Sequence, residues 1–332
     1  MLLVRADLVV VLAEGDSELV ADDVFVHDRP PLALEVALSD DHAIALLESR
    51  HTLEVMEVAP LTPVLGAVVS GVTLEPGISD GDVAAIRDAL LSHKVLFFRG
   101  QSLDAGDMTK LATRFGEPTP AHPVEPAVEG HPEVLALDSE EGARADVWHS
   151  DLTYQERPPL GAMLHAETVP DVGGDTVWVD MASAFDALSP TLQTFLSSLT
   201  ATHSSAKADG FFATRDQTGG AATMANAAAP PQHHPVIRVH PETGKRSVFV
   251  NPLFTIKLDG LRRAESDALL DVLYDVATRP DGMVRWKWQA GDLAFWDNRC
   301  TMHYALRDFG DARRNMLRVA LEGDRPAGVS PV

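Results

Sequence analysis

From residue 133 to residue 323 the chain is cut into short apolar runs, and this limits the fold more than any other feature. The runs are EVLALD, GAMLHAE, DTVWVD, PVIRVHP, RSVFVN, VRWKW, DLAFWDN and MLRVALEG. They are rich in β-branched and aromatic residues and bounded by Gly, Pro, Asn and Asp, which is the pattern of strands separated by turns. The linkers HPETGKR and QAGD have the chemistry of tight turns and predict antiparallel hairpins. Only two amphipathic stretches interrupt the series, over 183–199 and over 264–278, the second with Leu269, Val272, Leu273 and Val276 at helical spacing. Many strands and few helices predict a mainly β protein with helical cover, built as a double-sheet jelly roll.

The segment before these runs reads as an α/β entry. SDGDVAAIRDALLSHK is a helix capped by Ser79 or Asp80, VLFFRG a buried strand, and DAGDMTKLATRFG a second helix ending near Gly116. Residues 214–234 have no periodicity and are expected to form a loop, a candidate lid.

Charge and cysteine use narrow the partners. A formal charge of −22 is unsuited to gripping a phosphate backbone, so no nucleic-acid partner is expected. The N-terminal LVVVLA is too short for a membrane span and poorly flanked for a signal peptide, and no membrane partner is expected. One cysteine, Cys300, excludes an internal disulfide and fits a reducing, cytoplasmic setting. Residues 1–55 carry twelve acidic residues against three arginines and no lysine, unlike the remainder. They are read as an N-terminal extension to a domain spanning 56–332. A poorly ordered tail, or a start assigned upstream of Met56, accounts for them better than a compact subdomain.

The chemistry begins with WHSDLTY, where His149 and Asp151 are two residues apart. On a strand, i and i+2 share a face, so both side chains could grip one ion. The triplet alone carries little weight, since a wet strand face often holds two polar groups. A third ligand is available in His303 of NRCTMHYAL, with His165, His203, His233, His234 and His240 as rivals. Two histidines and a carboxylate form the facial triad of non-haem iron oxygenases. Farther on, Arg314 and Arg318 are four residues apart, predicted to share a strand face while Arg313 points away. Two guanidinium groups facing a pocket are costly unless anions meet them.

WHSDLTY, GGDTVW, FGEPTPAHP and WDNRCTMHYALRDFGDARRNMLRVALEGD together resemble the TauD/TfdA family of Fe(II)- and 2-oxoglutarate-dependent dioxygenases, in order, from about Met56 to Pro326. The resemblance implies a double-stranded β-helix of the clavaminate synthase-like type and a homo-oligomer. It makes His149, Asp151 and His303 the Fe(II) ligands. Arg314 and Thr176 would hold the distal carboxylate of 2-oxoglutarate, and O2 would be the second cosubstrate. Arg318, His122 and Phe254 match positions that line the substrate site of taurine-using members. Ala145 replaces an asparagine of those enzymes, and Asp209 falls where they carry an aromatic, so a substrate other than taurine is expected. The implied reaction is hydroxylation of a small anionic substrate, a sulfonate or alkyl sulfate ester, with release of sulfite or sulfate. The same chemistry on an aryloxy acid, another carboxylate or a biosynthetic intermediate is the alternative, and a non-catalytic metal-binding jelly roll the remote one.

Overall fold

The computed structural model describes residues 56–120, 127–141, 145–208 and 230–329. The expectations for residues 1–55, for 214–229, for Asp209 and for His122 lie outside these residues. The largest layer is an eight-stranded sheet. In chain order its strands are β1 (Glu57–Pro60), β2 (Ala67–Ser70), β3 (Val95–Phe98), β4 (Ala127–Val128), β5 (His131–Asp138), β6 (Gly161–Thr168), β14 (Leu293–Asp297) and β16 (Asn315–Leu321), and their spatial order is β1-β2-β3-β14-β6-β16-β5-β4. Every pairing is antiparallel except β2 with β3, which are joined by helix α1 (Asp80–His93). Ser79 caps α1, its hydroxyl accepting from Asp82 N–H. Helix α2 (Ala105–Thr113) follows β3 and starts at the Asp104 capping box.

Three smaller sheets oppose or flank this layer. One holds β13 (Met283–Trp286), β7 (Thr176–Asp180) and β15 (Thr301–Ala305); the second holds β12 (Thr255–Leu258), β8 (Thr200–His203) and β9 (Gln232–Pro235). The third holds β11 (Arg246–Val248), β10 (Ile237–Val239) and β17 (Ala327–Gly328). Among the described residues the chain is mostly sheet with few helices, and no helix is long and apolar enough to cross a membrane.

The continuous apolar runs have a simple cause. In β14, Leu293 and Phe295 pack under α1 and α2, while Ala294 and Trp296 face the opposite core. β3 divides likewise, Leu96 and Phe98 to one side, Val95 and Phe97 to the other. A strand buried on both faces cannot show polar alternation. The second core stacks Phe97 on Trp286, ring centroids 4.1 Å apart, with Trp178 edge-on to Phe97. A third core lies against α3 (Met181–Asp186) and α5 (Arg263–Ala277).

Three sequence expectations need correction. The helix expected over 183–199 is two: α3, and α4 (Pro190–Ser197) with Ser189 as its cap. Pro190 disfavours helical backbone at the residue before it and supplies a favoured first helical position, so the chain breaks there. The loop expected over 214–234 is wrong at its end, because Gln232–Pro235 is β9, paired with β8, and His234 is buried. As an edge strand it tolerates a proline that a central strand would not. HPETGKR does join a hairpin, β10 to β11, but QAGD does not. It leads from β13 in a small sheet to β14 in the large one. There Gly291 sits at φ 84°, and a Cβ would lie 3.0 Å from Gln101 O, so the corner demands glycine.

Candidate active site

His149 and His303 come together through an isolated antiparallel bridge, with His149 N–H donating to His303 O at 3.1 Å and His303 N–H to His149 O at 2.8 Å. His303 is on β15, which is held in register by β7. The segment 148–154 is not the strand expected from its sequence. Asp151 opens a turn, and Leu152 follows it at φ 49°, a left-handed conformation that costs a non-glycine residue roughly 1–2 kcal/mol. Shared strand facing is therefore not what unites His149 and Asp151. Asn298 does so from across the fold: Asp151 N–H donates to its Oδ1 at 2.7 Å, and its Nδ2 donates to Asp151 O at 3.1 Å.

The three ligand atoms converge. Asp151 Oδ1 is 3.7 Å from His149 Nε2 and 3.8 Å from His303 Nε2, and all three lie within 4.8 Å of one another, all buried. His149 Nδ1–H donates to Val147 O at 2.6 Å, leaving the Nε2 lone pair aimed at the common point. Burial lowers both histidines, and the neighbouring His149 helps bring His303 down to about 3, so both imidazoles are neutral donors. Burial pushes the Asp151 carboxyl up, but Arg318 first and the imidazoles after it win, lowering it to about 2. Two neutral imidazoles and an ionised carboxylate converging on one point fit a divalent iron ion.

Arg318, on β16, lies with Nη2 2.8 Å from Asp151 Oδ2. Arg314 is not on the strand: β16 begins one residue later, and its register with β6 slips between Asn315 and Met316. The bulge replaces simple alternation, yet both arginines line one cavity of about 380 Å³ that also exposes the triad. Arg313 turns away to Asp138 at 2.6 Å, as expected.

At the Arg314 end, Nε donates to Gly174 O at 3.1 Å and Nη2 approaches Thr176 Oγ1 at 3.4 Å. Trp288 Nε1–H also donates to Thr176 Oγ1, at 3.0 Å. With its oxygen facing two donors, the Thr176 hydroxyl, which lines the cavity, has its own proton to offer an acceptor. Gly174, at φ 72°, explains the GGDTVW pair, because a Cβ there would lie 3.3 Å from Arg314 Cδ and 2.9 Å from Pro170 Cγ. Burial lowers Arg314 to about 10, against a weaker pull from Asp175, and no carboxylate is in ion-pair contact with it among the described residues. A half-buried cation without a carboxylate partner is suited to meet an anion.

Phe254 is buried in the cavity wall beside Tyr154, ring centroids 5.1 Å apart, and Ala145 also lines the cavity. The rival histidines are elsewhere engaged: His165 Nε2 with Gln101 O at 3.2 Å, His203 Nδ1 with Thr153 at 3.0 Å, His234 with Gln155 O at 2.9 Å. His233 pairs with Asp259 at 2.8 Å and His240 with Asp297 at 2.9 Å. Trp288 and Asn298 were missed by the sequence reading. WDN precedes the third ligand in the chain, but nothing local links its asparagine to residue 151.

The family model described as "Taurine catabolism dioxygenase TauD, TfdA family" matches residues 57–320. The chain belongs to this family. Among TauD/TfdA relatives, an alkylsulfatase of Acinetobacter baylyi is 38% identical over 84% of this chain and 89% of its own length. An alpha-ketoglutarate-dependent sulfate ester dioxygenase of Pseudomonas putida is 39% identical over 86% of this chain and 95% of its own. A taurine dioxygenase structure from Burkholderia xenovorans superposes with a TM-score of 0.70 at 38% identity, covering 82% of this chain and 93% of that one. These neighbours imply a jelly-roll fold.

Proposed function

We propose that the protein is an Fe(II)- and 2-oxoglutarate-dependent dioxygenase that hydroxylates an alkyl sulfate ester or a related sulfonate at the carbon bearing the sulfur group. The observation that carries this is two arginines with different partners in the lining of one cavity, Arg318 beside the triad and Arg314 beside Thr176. Two anions are needed at one metal. The identity to enzymes named for sulfate esters, over most of both chains, favours that substrate class.

In this reading His149, Asp151 and His303 hold iron, which supplies the oxidation of a C–H bond coupled to conversion of 2-oxoglutarate and O2 into succinate and CO2. Arg314 and the Thr176 hydroxyl bind the distal carboxylate of 2-oxoglutarate. Arg318 meets the sulfate group while its charge keeps Asp151 ionised. Phe254, with Leu135, Leu152 and Leu253 of the wall, excludes water and packs the alkyl chain. A carbon carrying both hydroxyl and sulfate then expels sulfate and leaves an aldehyde. His122 is proposed as a further substrate contact. The catalytic domain is proposed to begin at about Met56, as a double-stranded β-helix of the clavaminate synthase-like type, with residues 1–55 an extension to it.

The deciding experiment loads the protein with iron anaerobically, then adds air, 2-oxoglutarate and either a hexyl or octyl sulfate, taurine, or an aryloxyacetate. Sulfate release matching succinate formation is expected with the alkyl sulfate. Coupled turnover of the aryloxyacetate alone would move the substrate assignment, and absence of succinate in every case would remove the oxygenase assignment.

A further inference from the structure

We propose that Asn298 is the positioning residue for the metal centre, setting where the Asp151 carboxylate stands without touching the carboxylate itself. The inference rests on the reading of the triad as an iron site. Asn298 is fully buried, and two of its three amide hydrogen bonds go to the backbone of Asp151. Its Oδ1 accepts Asp151 N–H at 2.7 Å, and its Nδ2 donates to Asp151 O at 3.1 Å and to Pro159 O at 3.0 Å. It thus reproduces with a side chain the two-way exchange that His303 makes with His149 through the main chain.

All three ligands consequently hang from one segment, 298–303. Asn298 carries Asp151, Thr301 O accepts the hydroxyl of Ser150 at 2.7 Å, and His303 bridges His149 while being a ligand itself. That segment is locked in turn. Asp297 accepts from Arg299 N–H at 3.0 Å, Arg299 Nε at 2.9 Å and Nη2 at 2.6 Å, and pairs with His240 at 2.9 Å. The Thr301 hydroxyl donates to Asp297 O at 2.7 Å. Such locking is needed because the turn is not relaxed: Leu152, next to the ligand, holds φ 49°, and a backbone in that region persists only where its surroundings over-determine it. The job requires one acceptor and two donors in one plane, which an amide has and neither a carboxylate nor an aliphatic chain has.

The test titrates Co(II) into the full-length, metal-free protein under anaerobic conditions and follows visible absorption, for wild type, Asn298→Ala and Asn298→Asp. Asn298→Asp keeps the acceptor and loses both donors. Circular dichroism and melting confirm that each variant is folded, and if Asn298→Ala does not fold, Asn298→Asp decides. The expected result is a metal affinity weakened roughly 10- to 100-fold. With saturating iron, the variants should also form more succinate per product than wild type while the KM for 2-oxoglutarate is unchanged, a split that a merely structural role would not produce. A folded Asn298→Asp protein with wild-type Co(II) affinity and coupling overturns the inference. Failure of wild type itself to bind Co(II) overturns the metal-centre reading instead.

Discussion

Arg314 and Arg318 line one cavity and meet the problem of a positive charge drawn out of water in opposite ways. Arg318 has a carboxylate already in place, Asp151 Oδ2 at 2.8 Å. Arg314 has a carbonyl and a hydroxyl but no ion-pair contact among the described residues, and burial lowers it to about 10. The difference separates a guanidinium with its counter-charge already in the fold from one that, under the proposed function, is completed by a ligand. It also predicts that the two arginines will respond differently to removal.

The largest effect is expected on breaking the compensated end. Asp151→Ala should abolish turnover and also leave the Arg318 charge buried and unpaired, which for a buried pair costs about 3–5 kcal/mol. The double variant Asp151→Ala/Arg318→Met should stay inactive yet recover most of the lost melting temperature. A double variant no more stable than the single would show that the pair does not govern the stability of this end.

At the uncompensated end the prediction reverses. Arg314→Met should leave the ligand-free protein as stable as wild type or more so, since an unmatched buried charge is removed. Its KM for 2-oxoglutarate should rise about 10- to 100-fold, matching the roughly 1.5–3 kcal/mol of a charged hydrogen bond. Metal affinity should be unchanged. Loss of Co(II) binding in this variant, with 2-oxoglutarate affinity intact, would mean that the roles of the arginines are exchanged.

Because Asp151 titrates near 2 and Arg314 near 10, neither end changes charge in mild acid. Acid sensitivity of the metal-free fold should come instead from histidines buried neutral, His149 and His303 of the triad among them, and His203 is the source outside the triad that can be tested by itself. It is fully buried, and burial with the nearby His234 holds it well below its ordinary 6.5. The folded state therefore resists a proton that the unfolded state accepts, so this stability is complete above about pH 6.5 and is lost as pH falls below it. Thermal melting should be flat above neutrality and decline below pH 6.5, with a shallower decline in His203→Gln. An equal slope in both proteins would exclude His203 as the cause.

The smallest effect sharpens the Arg314 end. Trp288→Phe removes the N–H that occupies Thr176 Oγ1 and leaves the hydroxyl free to rotate away from the cavity. The KM for 2-oxoglutarate should rise a few-fold, in line with a neutral hydrogen bond of about 1 kcal/mol. Kinetics of succinate formation at saturating substrate would measure it, and an unchanged KM would show that Trp288 serves packing alone.

By itself, the sequence determined most of the element types and the candidates for the site. Short runs such as LAFW and VLFF are apolar throughout because both sheet faces are covered, and that is legible from composition over a few residues. Likewise His149 and Asp151 suggest a metal and Arg314 with Arg318 two anions by residue type and spacing, while the choice of His303 among the histidines rests on the family resemblance. Tertiary structure alone decided how those groups are held. Asp151 is off the strand that its neighbours suggested, tied to Asn298 at a separation of 147 residues, and the Thr176 hydroxyl oxygen accepts from Trp288 at a separation of 112. The corner at Gly291, which sends QAGD from one sheet to another instead of back along a hairpin, is set by the approach of Gln101. Such contacts are made by packing between distant segments, and periodicity and propensity are properties of neighbours in the chain.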